Sequence, residues 1–427
     1  MGNILRNNWI EVDLDAYARN VKAMKRFIGN VELCSVVKAD AYGHGAVEIS
    51  KAAVKNGADM LAVALVEEGI QLRESGIKAP ILLLSEPARD AISEAIAYGL
   101  TLTLYTPQGA SQAAAAYLSY RDKYQKSSSS ATDNLYNDQG KLSVHIKADT
   151  GMHRVGVSTS DLPDLLNTVF DSGVLEVKGF CSHLAAADDV DNPFTALQLE
   201  RFRSGHSVLT DLMSRRKGSF GEQADQVTLH IANSAGTIYH PEALFDMVRL
   251  GIVLYGYPPG DKRKAVPQEV SQLFADLAPV LSWKTKVHFV REVAKGEGVS
   301  YGPRTPLESD SAIAVIPAGY HDGIRRGLFK AGGDILIKGQ RRKIVGQVTM
   351  DQVMVTCGED FSVKPGDEAV ILGRQGEENI TAEELADKLD TISYEILCGI
   401  GPRVPRIYIG TGGTGGTGGT DEENISG

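Results

Sequence analysis

Between residues 32 and 254 the chain alternates short, almost wholly apolar runs with longer amphipathic stretches. The runs are ELCSVVKA (32–39), MLAVAL (60–65), PILLLS (80–85), LTLTLY (100–105), LSVHIKAD (142–149), VKGFCSHLA (177–185), QVTLHIA (226–232) and MVRLGIVLYG (247–256). Between them lie helix-patterned segments such as GAVEISKAAVKNG and SDLPDLLNTVFDSG, the second opened by Ser160 or Asp161 as a cap. Near-continuous apolar strands separated by helices pair in parallel with both faces covered. Eight of them is the number that closes a (β/α)8 barrel of the TIM type. One interval is long: RDKYQKSSSSATDNLYNDQGK (121–141) is polar and of low complexity, and reads as a surface insertion.

After residue 257 the pattern changes. GYPPGDKRKAVPQEV has the prolines, glycine and charges of a linker, and strict alternation follows in LSWKTKVHFVREV, SAIAVIPAG, GDILIKGQRRKIVGQV, VMVTCG and DEAVILG. The expected organisation is α/β: an N-terminal barrel over 12–257, a C-terminal mainly β domain over 258–410, and a flexible tail over 411–427. The strand-like NNWIEVDL near the start makes residues 1–11 a candidate to pair with the second domain. Thr381, three residues before Glu384, predicts a capping box on TAEELADKLD.

Composition narrows the class without choosing a function. The 427 residues are 43% hydrophobic and 23% charged, as in ordinary globular proteins. No apolar run approaches a membrane span, and MGNILRNNWIEVDLD has neither a secretory layout nor the Ser or Thr at position six of a myristoylation signal. A net charge of −10 with no basic block disfavours nucleic acid and anionic membrane as partners. Cys34, Cys181, Cys357 and Cys398 lack metal-ligand spacing and fit buried thiols in a reducing cytoplasm. His44, His145, His230 and His321 likewise show no ligand spacing, and no metal site is expected.

Reactive side chains of a (β/α)8 barrel gather at the C-terminal ends of its strands. Lys38 closes the first run, Lys147 and Asp149 the fifth with Arg154 just beyond, and His183 the sixth. Ser234 in ANSAG follows the seventh, and Arg249 sits on the eighth before Gly251 and Ile252. A lysine ending a buried strand either snorkels to solvent or loses its charge, as in an imine with an aldehyde cofactor. ANSAG is either a turn whose N–H groups hold a phosphate or a helix capped by Ser234. Arg249 in an apolar strand needs a partner, which could be a ring nitrogen or Asp149. Read by themselves, His183, Tyr301 in GVSYG, and Met350 and Asp351 in TMDQ are more often structural than catalytic.

Taken in order, VVKADAYGHG, KADTGMHRVG, HLAAAD, ANSAG, VRLGIVLYG, GVSYG, GYHDGIRR, MDQVMV and YEILCGIGPRVPR resemble the motifs of alanine racemases, fold-type III pyridoxal enzymes. The resemblance spans residues 8–410 apart from the 121–141 insertion. It implies pyridoxal 5′-phosphate (PLP) held as an imine on Lys38, and a head-to-tail homodimer whose active sites use both chains. It implies that Tyr42, Ser234 and the backbone of Gly251 and Ile252 hold the phosphate, with Arg249 at the pyridine nitrogen and His183 by the ring. Arg154 would approach the cofactor's phenolic oxygen and the substrate, and Lys147 would be the lysine that can be carbamylated and pairs with it. Tyr301 and Met350 would come from the other subunit, with Met350 and Asp351 near the substrate carboxylate.

The implied activity interconverts L-alanine and D-alanine, supplying D-alanine for peptidoglycan. Moving a proton from one face of Cα to the other calls for two bases, and the resemblance implies Lys38 for the D isomer and Tyr301 for the L isomer. His183, tied to Arg249, would support the tyrosine. Two departures stand out. Pro402 occupies the position of a tyrosine that contacts the phosphate and narrows the entrance, and Gln347 that of an arginine beside the entrance. Both motivate a broader amino-acid racemase, for example on serine, as the alternative. A PLP-binding protein without turnover is a further alternative, disfavoured by the second domain with its GVSYG.

Overall fold

The computed structural model of the chain describes residues 6–124, 140–216, 227–260, 266–303 and 306–412. Most of the 121–141 insertion, part of the linker, and the tail beyond Gly412 lie outside the described residues.

The first strand, β1 (Asn8–Asp13), alternates buried and half-buried positions, with Ile10 and Val12 fully buried. The next eight are the barrel: β2 (Glu32–Val36), β3 (Met60–Val63), β4 (Ile81–Leu83), β5 (Leu102–Leu104), β6 (Leu142–Lys147), β7 (Leu175–Cys181), β8 (Thr228–His230) and β9 (Met247–Leu250). They form two parallel four-stranded arrays, β4-β3-β2-β9 and β5-β6-β7-β8. Backbone hydrogen bonds close both seams. Leu83 N–H donates to the Thr101 carbonyl at 3.0 Å on one side, and Arg249 N–H to the Ala232 carbonyl at 3.0 Å on the other. The barrel strands are buried on both faces because helices cover the outside and side chains fill the inside.

The helix Leu14–Ile28 illustrates the covering layer. Its buried positions, among them Leu14, Tyr17, Val21, Met24 and Ile28, recur at helical spacing. Asp13 caps it by accepting from Ala16 N–H at 2.8 Å, and Gly29, at φ 64°, ends it. The Tyr17 hydroxyl lies 2.8 Å from Ser35 Oγ, fastening this helix to β2. Two expected caps differ in detail. Asp161 occupies the cap position of Leu162–Asp171, but its carboxylate accepts from Ser158 Oγ instead. Thr381 Oγ accepts from Glu384 N–H, but the Glu384 carboxylate takes the Arg341 guanidinium rather than returning to the cap.

The second domain is built on β10 (Leu281–Lys286), in a seven-stranded sheet. β1 joins that sheet, antiparallel to β10 and parallel to Arg406–Ile409. Thus the residues just before the barrel and the last strand of the fold are neighbours. Arg406 uses this adjacency: its guanidinium donates to the carbonyls of Gly43, Ile400, Gly401 and Val404 at 2.7–3.1 Å. One side chain thereby joins the loop after β2 to the segment around residue 400. Among the described residues no helix is long and apolar enough to cross a membrane.

Candidate active site

Lys38 lies two residues beyond the end of β2, at the start of an unusual turn. Ala39, Asp40, Ala41 and Tyr42 all have left-handed backbone angles, with φ between 52° and 55°. Each costs about 1–2 kcal/mol for a residue with a Cβ, so outside bonds must hold the turn. Glu68 supplies some: one carboxylate oxygen accepts from Ala39 N–H at 2.6 Å and the other from Ala64 N–H at 2.8 Å. Asp40 accepts from Ala46 N–H, and His44 Nδ1 lies within 3.0 Å of the Ala41 and Tyr42 carbonyls. Arg406 takes the Gly43 carbonyl. Gly43 itself has φ 80°, and a Cβ there would stand 2.5 Å from the Leu397 carbonyl oxygen. Gly43→Ala is therefore expected to destabilise the fold by about 2–4 kcal/mol, measured as a lower urea midpoint. An unchanged midpoint would show that the turn yields freely.

The turn aims two groups. Lys38 is half-buried; burial is the main cause lowering its amine pKa, followed by Arg154, with Glu68 acting in the opposite sense. Tyr42 is buried against Tyr255, with ring centroids 4.7 Å apart, and its hydroxyl reaches Gly251. A Cβ at Gly251 would lie 2.3 Å from that hydroxyl, so only glycine allows the approach. Burial pushes the Tyr42 phenol well up, keeping it a donor. Ser234 stands opposite: its Oγ accepts from Gly251 N–H at 3.1 Å, which leaves its own proton free to donate. Asn233, not Ser234, caps the helix Ser234–Tyr239, through Gly236 N–H.

Arg249 is buried on β9, and Asp149 is not its partner. Asp149 is taken by His153 and by the N–H groups of Gly151 and His153. Arg249 instead donates to the carbonyls of Ser182, His230 and Ile231 and meets His230 Nδ1 at 2.5 Å and His183 Nδ1 at 3.3 Å. No carboxylate is among these partners, so its charge is solvated by dipoles and left uncompensated. His183 follows β7, and burial first, then Arg249, hold its pKa well below the ordinary value. It is neutral, and since arginine only donates, its Nδ1 accepts and its proton sits on Nε2. Lys147, at the end of β6, donates to the Leu84 carbonyl at 2.8 Å, and its pKa is lowered to about 8, mainly by burial.

Lys38, Tyr42, Lys147, Arg154, His183, Ser234, Arg249, Gly251 and Ile252 line one cavity of about 1010 Å³. Its other wall comes from the second domain, through Glu383, Tyr394 and Cys398. Four cationic side chains in one cavity, with two hydroxyl donors converging on a bare glycine, fit an anionic group. A phosphate-bearing aldehyde such as PLP is the class of group whose charge these residues would meet, with Lys38 as the amine that would hold it.

The remaining expected residues lie elsewhere. Tyr301, 75% exposed, and Met350 line a separate hollow of about 550 Å³ with Tyr320, Arg326 and Asp351. Ser300, at φ 68°, anchors the Tyr301 loop through the Gln347 carbonyl at 2.8 Å. Asp351 is held by Arg403 at 2.6 Å, and Arg403 in turn by the buried Asp322. Sequence reasoning missed several residues of the cavity and its supports. Cys398 is exposed at the cavity wall rather than buried like the other three cysteines. Tyr394 packs 5.9 Å from the Tyr42 ring; its place at the head of the quoted motif YEILCGIGPRVPR was the available signal. Glu68 and His230 carried no signal that spacing could expose, and Arg406 closes the quoted motif YEILCGIGPRVPR with no role assigned to it there.

Comparison with known proteins bears on the chain as a whole. The family profile described as "Alanine racemase, N-terminal domain" matches residues 12–259, and "Alanine racemase, C-terminal domain" matches 280–408. The alanine racemase of Symbiobacterium thermophilum is 41% identical over 411 residues, covering 95% of this chain and 98% of that protein. Alanine racemase 1 of Bacillus subtilis is 36% identical over 95% of this chain and 94% of its own length. Among solved structures, alanine racemase from Bacillus anthracis with bound L-Ala-P superposes with a TM-score of 0.81 at 35% identity, covering 96% of this chain and 97% of that one. The Bartonella henselae alanine racemase with covalently bound pyridoxal phosphate gives 0.75 at 26% identity, over 94% and 99%. With both domains matched and the identity sustained along nearly the whole length, the chain belongs to the alanine racemase family and is an isomerase of that kind.

Proposed function

We propose that the chain interconverts L-alanine and D-alanine with PLP, in a homodimer that completes each site with residues from both chains. The observation that carries this is the shared cavity: a half-buried amine, a hydroxyl-and-glycine cradle and an uncompensated arginine all face one space. Lys38 would hold the cofactor, with Tyr42, Ser234 and the Gly251–Ile252 backbone on its phosphate. Arg249 would face the ring nitrogen and His183 the ring. When bound, the cofactor supplies an electron sink that acidifies the substrate Cα proton.

The chain's own residues do the rest. Lys38, its pKa lowered by burial, takes or returns the proton on one face of Cα. The other face needs a second base, and Tyr301 of the same chain lies outside the cavity that holds Lys38. A partner's Tyr301 would fill that role, and its phenolate would accept from His183 Nε2–H. Arg154 would bind the substrate, with the partner's Met350 and Asp351 near its carboxylate. Lys147, with its pKa near 8, has enough neutral amine to take up carbon dioxide and then face Arg154. The proposal extends to a cytoplasmic enzyme supplying D-alanine for peptidoglycan; free thiols at all four cysteines fit a reducing compartment.

A second reading, a broader racemase, is favoured by Pro402, which is exposed and has no hydroxyl to narrow an entrance. One missing contact changes selection by only about 1–3 kcal/mol. Racemisation measured on a panel of L-amino acids with added PLP separates the two. Alanine is expected to be turned over fastest. Serine or larger substrates matching it would sink strict alanine selection, and a lysine-bound cofactor without turnover of any would leave a binding protein.

A further inference from the structure

His145 on β6 plays no part in the roles assigned above, yet the fold makes room for it. The register between β6 and β7 slips between Val144 and His145, and Gly179 comes opposite the ring. A Cβ at Gly179 would stand 2.4 Å from His145 Nδ1. His145 Nδ1 lies 2.9 Å from His230 Nε2, and His230 Nδ1 lies 2.5 Å from Arg249 Nη1. All three residues are buried.

The order of donors along this chain is fixed by chemistry. A guanidinium donates and cannot accept. His230 Nδ1 must therefore accept from Arg249, which puts the His230 proton on Nε2. That N–H faces His145 Nδ1, which must accept in turn, so the proton of His145 sits on its own Nε2. Both rings are neutral, as their burial beside a cation requires.

We propose that His145 is a positioning residue for Arg249: as the terminal acceptor it locks His230 in the Nε2–H tautomer, and the Nδ1 lone pair so exposed holds Arg249 Nη1. Nη2 is then left for His183 Nδ1 and the Ser182 and Ile231 carbonyls. Without an acceptor at 145, the buried His230 N–H has nothing to donate to. The ring then gains by turning or by moving its proton to Nδ1, and either change removes the acceptor from Arg249. The consequence for catalysis rests on the proposed PLP site, but the tautomers do not.

The test compares His145→Phe, which keeps bulk and loses the acceptor, with His145→Asn, whose amide oxygen can accept. Gly179→Ala, which pushes the His145 ring aside without altering its chemistry, guards against a Phe variant that fails to fold. In protein labelled with nitrogen-15 at histidine, the wild-type His230 is expected to show a bare Nδ1 and a protonated Nε2, with or without PLP. His145→Phe and Gly179→Ala are expected to lose that pattern and to shift the absorbance of the lysine-bound cofactor. Their kcat on alanine should fall by about tenfold with KM nearly unchanged, a usual size for a residue acting through another. His145→Asn should keep the pattern and the band. A proton on His230 Nδ1 in the wild type overturns the proposal. So does a folded Phe variant with both signals intact, or an Asn variant as damaged as Phe. A wild type that neither binds PLP nor racemises alanine sinks the proposed function instead, while the nitrogen pattern of the unloaded protein still decides the tautomers.

Discussion

Mixing two inactive variants is expected to restore racemisation. Lys38→Ala removes the cofactor-holding base and should lower L-alanine turnover by at least about 10³-fold. Tyr301→Phe keeps the ring but removes the proton carrier, with an expected loss of about 10²–10⁴-fold. Under single-turnover conditions removal of the Cα proton should be lost mainly from L-alanine and largely kept from D-alanine, read as exchange with deuterated solvent. In a mixed dimer, the chain with Lys38→Ala still carries Tyr301, and the chain with Tyr301→Phe still carries Lys38. One of its two sites is therefore intact. Random exchange makes about half the dimers mixed, so activity should return to about a quarter of wild type. Tyr301 is three-quarters exposed in the single chain and opens into a different hollow from Lys38. That separation is why recovery is expected. Mixed dimers that are isolated by two tags and remain inactive would mean that each chain completes its own site.

The barrel was legible because parallel strands buried on both faces write themselves as apolar runs, and the second domain because alternation replaced them. Lys38, Lys147, His183, Ser234 and Arg249 were legible as polar residues where such strands end. The left-handed turn was not. Ala39-Asp40-Ala41 contains no glycine to announce positive φ, and the groups that impose it, Glu68, His44 and Arg406, are brought in partly by distant elements. For Arg249 the sequence leaves a ring nitrogen and Asp149 both open as partners, because it cannot reveal that three carbonyls and two imidazoles converge on the guanidinium. His145 and His230 lie 85 residues apart and touch only because β6 and β8 both flank β7 in the barrel wall. Spacing rules find ligands on one element and are blind to such cross-barrel pairs.

Those buried imidazoles lead to the other large effect, an acid-driven loss of stability. Burial lowers the pKa of His44 to about 4 and of His145 to about 3, and holds His183 and His230 well below their ordinary value. The unfolded chain takes up these protons near pH 6.5 while the folded chain refuses them. The stabilisation is thus fully present above about pH 6.5 and drains away as pH falls, each contribution ending near its folded pKa. For His44 alone the gap between 6.5 and about 4 is worth about 3 kcal/mol. Urea unfolding of the unloaded protein, at fixed protein concentration, should show stability falling steeply between about pH 6.5 and pH 4. His44→Gln should flatten that slope by about one proton. An unchanged slope would exclude His44 as a contributor. Its geometry says why it contributes: Nδ1 is spent on the Ala41 and Tyr42 carbonyls, and the buried Nε2 has no partner. A proton placed there would be a charged donor with nothing to meet. The turn carrying Lys38 and Tyr42 must open to hydrate it, so the wild-type affinity for PLP should fall over the same pH range, and less so in His44→Gln.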